Sequence, residues 1–115
     1  MVDVPLDRFE DLVAEALDGI PEALGRLMDN VAVVVKDGSP RSGLLGRYDG
    51  IPLTERSHGY DGMVLPDRIT IFRLPILASC ADEAEVVEQV RITVVHEVAH
   101  HFGIDDARLD ELGWA

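Results

Sequence analysis

Residues 96–100 read His-Glu-Val-Ala-His. On a helix, positions four apart share a face, one turn above the other. The imidazoles of His96 and His100 would then converge on one point. Glu97 would sit about 100° further round and could reach a water there without binding the same ion. This is the two-histidine zinc arrangement with a glutamate general base. A tetrahedral catalytic zinc takes a third protein ligand and keeps one position open for water. The chain continues His-Phe-Gly-Ile-Asp-Asp. Gly103 is placed to stop the helix and let the chain turn back. Asp106, ten residues after His96, is the first choice for the third ligand, with Asp105 as its rival. By this chain's own composition the five-residue pattern arises by chance about once in 100 such sequences, and about once in 10,000 when Gly103 and Asp106 are also required.

The nearby polar residues have plainer readings. His101 points away from the His96/His100 face and is expected at the surface or behind the metal ligands. His58 falls in a long loop and reads as a solvated side chain. Thr93, one turn before Glu97, reads as a packed helix threonine. Tyr48, His58 and Tyr60 are candidates to stabilise an oxyanion, because that loop could fold over the site.

The elements that must position these groups follow from hydrophobic spacing. Leu6, Phe9, Leu12, Val13, Ala16 and Leu17 form one stripe, predicting an amphipathic helix over 6–18 that ends at Gly19. Pro21 suits the first position of a shorter helix over 21–28. The run Val-Ala-Val-Val-Val-Lys at 31–36 predicts a buried strand. Residues 37–67 read as loop, with a short strand within 44–48. Residues 69–73 read as a strand that Pro75 ends or confines to a sheet edge. The last long helix is expected from a cap at Asp82 to Phe102, with Gly103 as the left-handed stop. Residues 90–95 could pass for a strand, but some 20 residues without glycine or proline are too long for one. A final helix is expected from Asp106 to Leu112.

Composition narrows the function classes. The 115 residues fit one domain, 1–115. The formal net charge is -12. So acidic a chain is a poor match for a phosphate backbone, which argues against nucleic acid as a partner. Charge is uneven: residues 1–35 carry -6, 36–73 carry +1 and 74–115 carry -7. The one cysteine, Cys80, allows no internal disulfide and fits a reducing compartment. With no signal-peptide pattern and no apolar run near 18 residues, the expectation is a cytoplasmic protein without membrane contact.

The stretch His96–Asp106 resembles the extended signature of the zincin metallopeptidases. In particular it is similar to the very small bacterial zincin-like metallopeptidases, whose signature ends in aspartate where metzincins have histidine. The segments Gly50–Ser57, Leu65–Arg73, Cys80–Glu83 and Arg108–Trp114 resemble that small family too. The resemblance spans about residues 43–114. It implies an α+β fold, a minimal zincin-like domain with an N-terminal helix, a small mixed sheet, a long active-site helix and a short C-terminal helix. It also implies Zn2+ held by His96, His100 and Asp106, with Glu97 as base. One departure is that metzincins carry a methionine turn after the third ligand, whereas Met28 and Met63 both precede the motif here.

The leading expectation is therefore a zinc metallopeptidase acting on a peptide or protein substrate, with residues 69–73 offering a strand edge to an extended chain. The rival from another class is a catalytically inactive, metal-stabilised interaction module. An open metal site would bind hydroxamates and a closed one would not.

Overall fold

The computed structural model describes residues 2–25, 28, 31–50, 67–104, 107–108 and 111. Helix α1 spans Leu6–Asp18 and stops at Gly19, as its stripe predicts. Helix α2 spans only Glu22–Gly25, with Pro21 just ahead of it, and Met28 lies outside any helix. Strand β1 is Val31–Lys36, β2 is Gly46–Asp49 and β3 is Asp67–Phe72. A short helix α3 covers Arg73–Ala78, and the long helix α4 covers Glu83–His101. The architecture is α+β, as expected.

The sheet order is β1-β3-β2, with β1 parallel and β2 antiparallel to β3. This corrects the edge assignment for residues 69–73: β3 is the middle strand, paired on both sides. Pro75 does not limit it, because the strand ends at Phe72 and Pro75 lies in the first turn of α3. A first-turn proline gives up no intrahelical bond. The fully buried strand expected at 31–36 is only half-buried, because β1 takes an outer position in the sheet.

Register sets which residues share a face. Val31, Val33 and Val35 lie beside Asp67, Ile69 and Ile71, and β2 presents Gly46 and Tyr48 to the same side. That side meets α4, whose buried residues Val86, Val90, Val94 and Val98 recur at helical spacing. Phe9, Leu12 and Val13 of α1 complete the core.

Both ends of α4 are fixed locally. The Asp82 carboxylate accepts from the Glu85 N–H at 2.9 Å, and Glu85 reaches back to the Ala81 N–H at 2.8 Å. At the other end, Gly103 turns left-handed at φ 75°. The Gly103 N–H then donates to His100 O and the Ile104 N–H to Ala99 O. These are the two bonds of a Schellman stop. Among the described residues, no helix is long and apolar enough to cross a membrane.

Candidate metal centre

The last two turns of α4 carry the chemistry-bearing residues. His96 and His100 are half-buried, and their ring centroids lie 4.6 Å apart. Glu97 falls on the buried stripe that runs through Val90, Thr93, Val94 and Val98, and its side chain is 7% exposed. An acid in a core stripe is costly unless it is partnered. Its partner is the neighbouring imidazole: Glu97 Oε1 lies 3.2 Å from His100 Nδ1. One ligating atom from each of His96, Glu97 and His100 falls within 4.8 Å of the others. Imidazole nitrogens are ordinary donors for zinc, and a carboxylate beside them can reach a water on the ion, so the set fits that metal by its chemistry.

Asp105 and Asp106, the two candidates for a third ligand, lie outside the described residues. So do His58 and Tyr60, and most of the helix expected over 106–112.

His101 is not at the surface. Its side chain is fully buried, and Nδ1 lies 2.8 Å from Asp67 Oδ2. The Tyr48 hydroxyl donates to the same oxygen at 2.6 Å. One buried carboxylate thus joins β2, β3 and the end of α4. The Tyr48 hydroxyl, one of the three oxyanion candidates, is directed at Asp67 in this structure. His101 Nε2 is buried and has no hydrogen-bond partner among the described residues. The sequence did carry a signal for this residue. The spacing Val90, Val94, Glu97, His101 continues the core stripe to the end of the helix.

Thr93 is buried, and its hydroxyl donates to Gln89 O at 2.8 Å, so it is the packed helix threonine expected. Its methyl faces β2 at Gly46, where the strand crosses α4 beside Glu97.

Comparison with known proteins agrees with this arrangement. No curated protein matches the chain. A solved structure, described as a conserved hypothetical protein from Thermo thermophilus, is similar with a TM-score of 0.58 at 23% identity. The match covers 95% of this chain and 97% of that one, and shows a shared fold. The family model for zincin-like metallopeptidases matches residues 28–114, which include all of β1 to α4. The chain therefore belongs to the zincin-like metallopeptidase family.

Proposed function

We propose that this protein is a zinc-dependent hydrolase that cleaves peptide bonds, with His96, His100 and Asp106 holding the metal and Glu97 serving as general base. The observation that carries the reading is the convergence of His96, Glu97 and His100 at the end of a helix fixed at both ends. Membership of the zincin-like family supports it.

Zinc, when bound, supplies Lewis acidity that polarises a carbonyl and lowers the pKa of water toward about 7. Glu97 does the proton work. Its carboxylate accepts a proton from the attacking water as the new C–O bond forms. It then delivers that proton to the departing amine as the C–N bond breaks. The burial of Glu97 keeps bulk water from competing for that proton.

A peptide substrate is supported by the placement of β2. Among the described residues, β2 pairs only on its β3 side, and its Gly46 lies against Glu97. An extended chain added to the other side of β2 would hydrogen-bond through its backbone and pass beside the general base.

The test compares two variants by zinc content and by hydrolysis of a quenched fluorescent peptide library. Glu97→Gln should retain zinc and lose about 10²–10⁴-fold in rate, the usual span for acid–base catalysis. His96→Ala should lose the metal. Full activity in Glu97→Gln would remove Glu97 from its role. Zinc-loaded wild type that neither cleaves peptides nor binds acetohydroxamate would replace this reading with a structural metal.

A further inference from the structure

Gly46 occupies a place that no side chain fits. A methyl group built there would stand 2.7 Å from Thr93 Cγ2, 3.1 Å from Glu97 Cγ and 3.2 Å from Glu97 Oε2. The first distance is a clash, and the other two require Glu97 to give way. The glycine's backbone conformation is not the issue, since its φ is not left-handed. What matters is that β2 presses on α4 here with nothing between. Glu97 is thereby confined on two sides: Oε1 faces His100 Nδ1 at 3.2 Å, and Oε2 faces the bare Cα of Gly46.

We propose that Gly46 is a positioning residue for Glu97, its missing side chain setting where the carboxylate can sit between β2 and His100. The proposal rests on the hydrolase reading for its effect on rate, but its geometric content stands apart from it. A methyl group at position 46 requires the Glu97 side chain to give by a few tenths of an ångström, whereas its three nearest neighbours include no atom of His96 or His100. A misplacement of about 1 Å in a reacting group can cost about 100-fold in rate.

The unequal contacts separate positioning from ordinary packing. Thr93→Ser removes the methyl in the closest contact and keeps the hydroxyl that bonds Gln89 O. The double variant Gly46→Ala/Thr93→Ser therefore relieves the clash with the helix but leaves both contacts to Glu97. If Gly46 serves packing alone, the double variant recovers everything. If it positions Glu97, the fold recovers and the base stays displaced.

The experiment measures four properties of zinc-loaded wild type, Gly46→Ala and the double variant. These are melting temperature, zinc content, acetohydroxamate affinity by calorimetry, and the Glu97 carboxylate position in crystals. Peptide turnover is followed alongside. In support, the double variant melts near wild type and keeps its zinc, yet binds acetohydroxamate about 10-fold more weakly. Its kcat falls about 10- to 100-fold with KM little changed, and its carboxylate is shifted. A double variant with the wild-type carboxylate position and wild-type acetohydroxamate affinity overturns the proposal. If Gly46→Ala alone does not fold, the same comparison rests on the double variant. Failure of the hydrolase reading would show elsewhere, as zinc-loaded wild type that neither cleaves peptides nor binds acetohydroxamate. The crystal position of Glu97 in the double variant would still decide the role of Gly46.

Discussion

Asp67 and His101 stand 34 positions apart in sequence and meet at 2.8 Å, with side chains 1% and 0% exposed. The contact ties the start of the middle strand to the residue next to His100. Removing His101 takes a hydrogen bond from a carboxylate that is 1% exposed and leaves a cavity at the end of α4. His101→Ala should therefore cost about 1.5–3 kcal/mol, the range for a lost hydrogen bond to a charged group. Tyr48→Phe, which removes one donor to the same carboxylate, should cost about 1.5–3 kcal/mol. Urea unfolding measures both. A loss below about 1 kcal/mol for His101→Ala would mean that the pair does not anchor the helix end.

Gly103 is strained for any other residue type. Its φ of 75° lies in the left-handed region, where a β-carbon costs about 1–2 kcal/mol. Gly103→Ala should lower stability by that amount in thermal melts, and Gly103→Asn by less, because asparagine tolerates the conformation. Equal losses from the two would point to a cause other than backbone strain.

The third metal ligand can be assigned by affinity. Asp106→Ala should weaken zinc binding by at least the roughly 10- to 100-fold that loss of a ligand's supporting partner costs. Asp105→Ala should leave it within a few-fold. Competition against a chromogenic chelator reads both variants, and the opposite order would move the role to Asp105.

One pH effect has a clear sign. The Arg91 guanidinium donates to Glu88 at 2.6 and 3.2 Å and holds the Glu88 carboxyl below its ordinary value. Its folded value lies below its unfolded one. The contribution to stability is thus present above the unfolded value and fades as pH falls through the folded one. The pair is exposed, so salt should weaken it. An NMR titration should place the Glu88 midpoint below that of free glutamate, and Arg91→Gln should bring it back. An unchanged midpoint in Arg91→Gln would remove the ion pair as the cause.

Local signals made much of the architecture legible. The α1 stripe, the β-branched run of β1 and the caps of α4 each lie within a few residues, so sequence spacing carries them. Strand order does not lie within any window, and β3 became the middle strand only when β1 and β2 closed on it. Helix α3 was hidden because Pro75 reads as a breaker, although a proline in the first turn breaks nothing. The chemistry of His96, Glu97 and His100 was visible because one helical turn brings them together. The burial of His101 was legible in the stripe Val90, Val94, Glu97, His101, but its partner was not, because Asp67 arrives from a distant strand. Gly46 carried no signal at all, since its importance lies in what would collide with it.

Helix α1 packs on α4, and Arg8 bonds Glu83 across 75 positions. During synthesis α1 leaves the ribosome with Phe9, Leu12 and Val13 exposed, and it waits for its neighbour. At about 5–20 residues per second that wait is roughly 4–15 seconds. Until α4 is made, the apolar stripe of α1 therefore lacks the helix that covers it in the folded protein.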